Sequence, residues 1–244
     1  MDNIHFYKFL RSEHHPFKNA QASVRLGSFK YYQNIENEQI ADKEEGMLKY
    51  KVNGVTFDKN NVSNIPFLPK MFNMDEGGSV SFHGVTLQSE FPNCLIFCLS
   101  YFSLQPTIEK LNNLSKRLNY DSHYQILDIN KFSAICANKI TEKLNIRKIG
   151  VDLSYLSIFE LSQIKVGFKH GIVNYLDSDI EVKNEQDNHS SFDRLMEHLF
   201  SKRSHFQNDK EYRIVFFILL GDKVLPFKDE WLDIPVNIYD GVLL

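Results

Sequence analysis

Two apolar segments of strand length, residues 93–102 (NCLIFCLSYF) and 211–220 (EYRIVFFILL), constrain the fold most strongly. Both are rich in aromatic and branched aliphatic residues, which favour strands over helices. Neither has a regularly polar face, so each needs cover on both sides. We therefore predict that these two segments are central strands of a single sheet.

The rest of the chain adds shorter strands and a few helices. Further strands are predicted for HFYKFL, SVSFHGVTLQS, HYQILDI, RKIGVDL, IKVGFKHGIVNYL and DIEVK. VRLGSFKYY is predicted to be a strand or a strand that runs into a turn. Asn53-Gly54, between two alternating segments, predicts a hairpin. Helices are predicted in PTIEKLNNLSKRLN, in KFSAICANKITEKL with Asn130 as its cap, and in SSFDRLMEHLFSK. Without a compositional linker, residues 1–244 are expected to form one α+β domain with a mostly antiparallel, curved sheet.

Composition excludes several classes of protein. No apolar run reaches the roughly 18 residues of a membrane-spanning helix, and the N-terminus does not resemble a signal peptide. Three cysteines and no Cys/His ligand spacing predict reduced thiols, a cytoplasmic location and no structural metal. A net charge of −3 gives no support for non-specific DNA binding.

The start of the last long strand carries two charges. Glu211 and Arg213 are two residues apart and share a face, which also carries Val215. One interpretation is a solvated strand end where the charges pair weakly. The other is a carboxylate held toward a cleft by its basic neighbour.

Common catalytic motifs are absent: the sequence has no phosphate-binding loop, no GxGxxG, no HExxH and no GxSxG. The acids Asp42, Glu44 and Glu45 could bind Mg²⁺ through oxygen ligands. A solvated acidic turn is the favoured interpretation of these residues.

Four short motifs resemble those of a widespread bacterial family of uncharacterised function. They are Tyr7-Lys8-Phe9, the segment VRLGSFKYYQNIENEQIADKEEG, the strand IFCLSYF and the segment LFSKRSHFQNDKEYRIVF, in the same order. That pattern is in turn remotely similar to the ADP-ribosyltransferase fold. The resemblance implies an intracellular enzyme that cleaves NAD⁺, as toxins and phage-defence effectors of this kind do, often under the control of an antitoxin.

The resemblance also assigns residues to the site. Glu211 would stabilise the oxocarbenium ion of the ribose and Ser100 would orient a ribose. Lys8, or His5 in its place, would contact ribose or pyrophosphate, and Arg213 would hold Glu211. Tyr7 and Tyr32 would line the NAD⁺ site. Arg25 would bind phosphate or pair with Glu36 or Glu38.

Two other functions fit the sequence. One is an Mg²⁺-dependent enzyme that processes nucleic acid with the acids near Asp42. The other is a non-enzymatic module that binds a partner through its aromatic-rich sheet. For the transferase, the acceptor could be a protein, a nucleic acid or a small molecule.

Overall fold

The computed structural model describes residues 4–17, 23–36, 40–60, 76–145, 149–182, 196–197, 199–236 and 243. These residues divide into two compact units. Unit 1 consists of Met1–Glu45, Pro92–Val173 and Phe206–Leu244, and unit 2 consists of Gly46–Phe91 and Asn174–His205. No shift in composition marks the boundaries between the segments of the two units, so the sequence does not predict these boundaries.

Unit 1 contains the following strands and helices: β1 His5–Leu10, β2 Ser23–Ser28, α1 Phe29–Asn34, β7 Leu95–Phe102, α2 Ile108–Arg117, β8 Ser122–Ile126, α3 Ile129–Asn145, α4 Ile158–Gln163, β9 Ile164–Ile172, β13 Glu211–Leu220, β14 Lys223–Val224 and β15 Trp231–Pro235. Unit 2 contains β3 Met47–Val52, β4 Val55–Asp58, β5 Ser79–Phe82, β6 Val85–Glu90, β10 Asn174–Leu176, β11 Ile180–Val182 and β12 Ser201–Arg203.

The strands of unit 1 form one curled, eight-stranded antiparallel sheet, so the predicted α+β class with few helices is confirmed. Its hydrogen-bonded order is β14-β13-β7-β1-β8. β9 pairs with β13 along the edge opposite β7, and β2, which pairs with β15, also pairs with β7. The two apolar segments are neighbours, because β13 pairs with β7 from Glu211 opposite Ser100 to Phe216 opposite Leu95. Their predicted central position is confirmed.

One face of β7 and β13 packs under α3. Leu95, Phe97 and Leu99 of β7 join Ile214 and Phe216 of β13 in the main hydrophobic core. On the helix, Phe132, Cys136 and Ile140 are fully buried in the same core, at the spacing of one helical face. The alternate residues of both strands therefore point to the opposite face, which carries Cys98, Ser100, Glu211 and Arg213.

The Asn53-Gly54 prediction is wrong: β3 and β4 do not pair with each other. β3 pairs with β6 and β4 pairs with β5, so the four strands form a two-stranded ribbon that bends at a corner. Gly54 and Gly84 both have positive φ there, and the Gly54 amide donates to the Phe82 carbonyl at 2.9 Å. An Asn-Gly dipeptide supplies the conformation that a tight hairpin needs, and a bend in a longer ribbon uses the same conformation.

Other predicted elements need smaller corrections. Helix α3 is capped by Asp128 and not by Asn130, because the Asp128 carboxylate accepts from the Lys131 amide at 2.9 Å. The described part of RKIGVDL, from residue 149, is not a strand. Most of the helix predicted in SSFDRLMEHLFSK lies outside the described residues. β15 was not predicted, because its sequence WLDIP is short and ends in proline.

Candidate functional site

The sheet of unit 1 splits on one side of β7. At the start of β7, Leu95 and Ile96 pair with β2, and at its end Ser100 to Phe102 pair with β1. Between these two ladders lies Cys98, whose carbonyl accepts a hydrogen bond from the Lys8 amine at 2.9 Å. The amine also lies over the Phe97 ring, 4.7 Å from its centroid. At the split, the Lys8 side chain of β1 thus donates the hydrogen bond that the backbone of a neighbouring strand would otherwise donate.

A cavity of about 490 Å³ opens at this split. Its wall combines basic and aromatic side chains, among them Lys8, Arg11, Arg25, Phe97 and the four tyrosines Tyr31, Tyr32, Tyr120 and Tyr124. Two acids, Glu36 and Asp233, also line it. Cavities of this size, with aromatic walls and a few polar groups, are typical of sites for small ligands.

The two adjacent tyrosines of α1 approach the cavity because β2 has a glycine beneath them. A Cβ atom at Gly27 would lie 2.7 Å from Tyr32 Cε2 and 2.9 Å from Tyr31 Cδ1. Tyr32 is buried, and burial, together with the neighbouring Cys98 thiol, raises the Tyr32 pKa well above its usual value. Tyr32 therefore remains a neutral phenol beside the cavity.

The two arginines of the cavity differ in their partners. Arg25 binds Asp233 on β15 through two hydrogen bonds of 3.0 and 3.3 Å and stacks over Trp231, so the predicted pairing with Glu36 is wrong. Glu38 lies outside the described residues. Arg11 is exposed and forms no ion pair with any described residue. Arg11 was not identified from the sequence, where nothing separates it from other surface arginines.

Glu211 and Arg213 are not at a solvated strand end. The Arg213 side chain is completely buried, and its Nε and Nη2 bind Glu211 Oε1 at 2.8 and 2.7 Å. A second carboxylate, Glu45, takes the other side of the guanidinium: Nη1 to Oε1 is 2.7 Å and Nη2 to Oε2 is 3.1 Å. Arg213 therefore joins two carboxylates that lie far apart in the sequence, and the weak surface pair is excluded.

The acidic segment before β3 is not a solvated turn either. Asp42 and Glu45 are both buried. The turn is closed by backbone bonds, since the Asp42 amide donates to the Tyr32 carbonyl and the Glu45 amide to the Asp42 carbonyl. The Gln33 side chain donates to the Glu45 carbonyl at 2.8 Å. Helix α1 thus holds Glu45 in place against Arg213.

Ser100, Glu211 and Tyr7 share one row across three neighbouring strands. Ser100 lies opposite Glu211 on one side and opposite Tyr7 on the other. Tyr7 is buried in a second core with Phe102 and Leu111, and its hydroxyl accepts from Gln105 Nε2 at 2.8 Å. None of the three is among the residues that line the 490 Å³ cavity. His5, the alternative to Lys8, does not line it either.

Electrostatics connects the buried acids with the cavity. Burial lowers the pKa of Lys8, while the nearby Cys98 and Glu211 oppose this shift. Burial and the Glu211 charge raise the pKa of the Cys98 thiol to about 12, so this cysteine is a weak nucleophile. Lys8, which lines the cavity, therefore lies within the electrostatic reach of Glu211.

The predicted residues thus fall into two groups. Lys8, Arg25 and Tyr32 line the cavity, whereas Glu211, Arg213 and Ser100 lie on the buried face of β7 and β13. Glu45 belongs to the second group. The sequence suggests it as a Mg²⁺ ligand, but in the structure it binds Arg213. Within the described ranges, no three His, Cys, Asp or Glu side chains are grouped so that they could hold a metal ion. No described helix is long and apolar enough to cross a membrane.

Comparison of the chain with protein families, with curated proteins and with solved structures finds no match.

Proposed function

We propose that the protein binds NAD⁺ in the cavity at the sheet split and transfers ADP-ribose to an acceptor. The observation that carries this proposal is the position of Lys8. Lys8 lines a basic, aromatic cavity, and the charge of the buried Glu211 carboxylate opposes the effect of burial on the Lys8 pKa. The ADP-ribosyltransferase-like fold that the sequence resembles is part of the same proposal.

The cavity supplies groups suited to a dinucleotide. The exposed guanidinium of Arg11 can bind a pyrophosphate, and Arg25 can do so if the ligand competes with Asp233. The tyrosines offer flat faces for the adenine and nicotinamide rings. Lys8 can donate a hydrogen bond to a ribose hydroxyl.

The proposed reaction breaks the bond between the nicotinamide nitrogen and C1 of the ribose. The bonding electrons leave with nicotinamide, and the ribose becomes an oxocarbenium ion. The nucleophile of the acceptor then attacks C1 and loses its proton. Glu211 does not line the cavity, so in this proposal its charge acts on the developing positive charge from a distance, and Arg213 keeps Glu211 oriented for this role.

The first test is ligand binding. NAD⁺ should raise the melting temperature of the protein, since a ligand that binds only the folded state stabilises it. Arg11→Gln should weaken this effect, because it removes a cation from the cavity wall. No shift at millimolar NAD⁺, or equal shifts in both proteins, would count against the site.

The second test concerns chemistry. Glu211→Gln keeps the size of the side chain and removes its charge, and we expect the rate of NAD⁺ cleavage to fall by about 10²–10³. Glu142→Gln is the matched control, because Glu142 forms a surface pair with Lys139 at 2.8 Å on α3. Release of labelled nicotinamide measures the rate. Equal rates in the two variants would remove Glu211 from the mechanism.

The alternative Mg²⁺-dependent activity receives no support from the acidic segment, because Glu45 binds Arg213 and the Asp42 carboxylate accepts from the Glu44 amide at 2.9 Å. The partner-binding module, the antitoxin and the class of acceptor stay predictions. Digesting the labelled products of a lysate reaction separately with protease and nucleases would identify the acceptor.

A further inference from the structure

Lys8 has an unusual environment for a lysine. It is half-buried, and its amine contacts the Cys98 carbonyl at 2.9 Å and the face of Phe97 at 4.7 Å. Among the described residues, no carboxylate forms an ion pair with it. Lys139, by contrast, binds the Glu142 carboxylate at the surface.

This environment raises the neutral fraction of the amine above that of an exposed lysine. A carbonyl accepts a hydrogen bond from either form of the amine, so it does not compensate a buried charge as a carboxylate would. The aromatic face and the charge of Glu211 favour the ammonium form, but burial outweighs them and lowers the Lys8 pKa. A neutral amine has a free electron pair and is a nucleophile.

Lys8 also borders space for a substrate. It lines the 490 Å³ cavity together with Arg11, whose guanidinium has no ion-pair partner in the described chain. Aromatic side chains cover much of the remaining wall. We propose that Lys8 is an imine-forming lysine that captures phosphorylated aldehydes in this cavity.

The chemistry is a condensation that needs no cofactor. The Lys8 nitrogen attacks the aldehyde carbon, and a C=N bond replaces the C=O bond. The nitrogen gives up two protons, which leave with the carbonyl oxygen as one water molecule. The phosphate of the substrate would bind Arg11, and its apolar part would lie against the tyrosines. The proposal is independent of NAD⁺ binding, since it concerns only the amine and the cavity.

Reductive trapping tests this proposal. The full-length protein is incubated with pyridoxal 5′-phosphate near neutral pH and treated with sodium borohydride, which reduces an imine to a stable secondary amine. Peptide mass spectrometry then measures the labelled fraction of each lysine. Lys110 is the internal control, because its amine also lies over a ring, at 5.1 Å from the Phe102 centroid, but is exposed on α2.

We expect Lys8 to be labelled faster than Lys110, because burial lowers the Lys8 pKa and a lower pKa raises the neutral fraction of an amine. Labelling of Lys8 no faster than that of Lys110 would overturn the proposal. This measurement uses the wild-type protein, so it does not depend on whether a Lys8 variant folds.

Pyridoxal without its phosphate separates the two parts of the proposal. The ratio of Lys8 to Lys110 labelling should be higher with pyridoxal phosphate than with pyridoxal, and Arg11→Gln should bring the two ratios together. Equal ratios in the wild-type protein would overturn the preference for a phosphorylated substrate. Using ratios removes the difference in intrinsic reactivity between the two aldehydes.

Discussion

The two units each contain an arginine that binds a carboxylate at the same distance in different surroundings. In unit 1, Arg213 Nη1 lies 2.7 Å from Glu45 Oε1, and both side chains are almost completely buried. In unit 2, Arg203 Nη2 lies 2.7 Å from Asp179 Oδ1, with 26% and 18% of the side chains exposed. Contact distance alone therefore does not distinguish the two pairs.

Their energetics should differ strongly. An ion pair near water gains little, because water solvates the separated charges almost as well. A buried pair has lost that solvation, so removing one partner leaves a charge that water does not reach. The buried network of unit 1 is thus costly to disturb without being a large net source of stability. Such an arrangement suits a carboxylate that must keep one orientation.

The largest effect is expected for Arg213→Gln. It removes the cation shared by Glu45 and Glu211, and we expect a loss of about 3–5 kcal/mol in the free energy of unfolding. Urea denaturation followed by the fluorescence of Trp231 measures it, since this single tryptophan lies in unit 1. A loss below about 1 kcal/mol would show that the pair behaves like a surface pair.

Glu45→Gln should have a smaller effect. Gln keeps an oxygen that can accept from Arg213, and Glu211 still balances the guanidinium. We expect a loss of about 1.5–3 kcal/mol, the range for hydrogen bonds to charged groups. Glu45→Asp, which keeps the charge but shortens the side chain, is the comparison variant. A wild-type stability for Glu45→Gln would contradict the view that Glu45 anchors Arg213.

Arg203→Gln should have little effect on unit 2. We expect a loss of less than about 1 kcal/mol, because both side chains remain partly exposed to water. Salt at about 1 M should remove most of this difference, because it screens exposed charges more than buried ones. Circular dichroism melts at low and high salt would show this, with Arg213→Gln as the salt-insensitive reference.

Acid should produce the smallest effect, at Asp179. Its hydrogen bond from Arg203 lowers the pKa of this carboxyl in the folded protein. The stability it contributes is therefore complete above the unfolded-state pKa of about 3.9 and is lost as pH falls through the lower folded value. Asp179→Asn should lose less stability than the wild-type protein between about pH 5 and about pH 2. Identical acid profiles would contradict this assignment.

Much of the fold follows from local patterns. The apolar runs of β7 and β13 predict central strands of one sheet. The helical spacing of Ile108, Leu111, Leu114 and Leu118 predicts a buried face of α2, and the three leucines are buried while Ile108 is exposed. The Asn53-Gly54 error has a different origin. A local conformation with positive φ is encoded there, but whether it closes a hairpin or bends a ribbon depends on β5 and β6, which lie further along the chain.

The site was only partly predictable for a related reason. Glu211 and Arg213 stand out because charges at the start of an apolar strand are unusual. Glu45 does not, because it lies in a run of acids that looks solvated, and only the tertiary contact with Arg213 shows its burial. Lys8 was selected by resemblance, and its position at the split depends on how β1 and β2 divide the edge of β7.

The two-part insertion of unit 2 has a consequence for folding kinetics. In unit 2, β3 pairs with β6, which is the nearer of its two partners in sequence. β3 also pairs in parallel with β11, where Tyr50 lies opposite Ile180. That contact closes a loop that contains β7, β8 and β9 of unit 1. Long-range contacts of this kind form slowly, because the loop must lose its conformational entropy first. We therefore expect the β3–β6 ribbon to become protected from hydrogen exchange early in refolding, and β11 to become protected late.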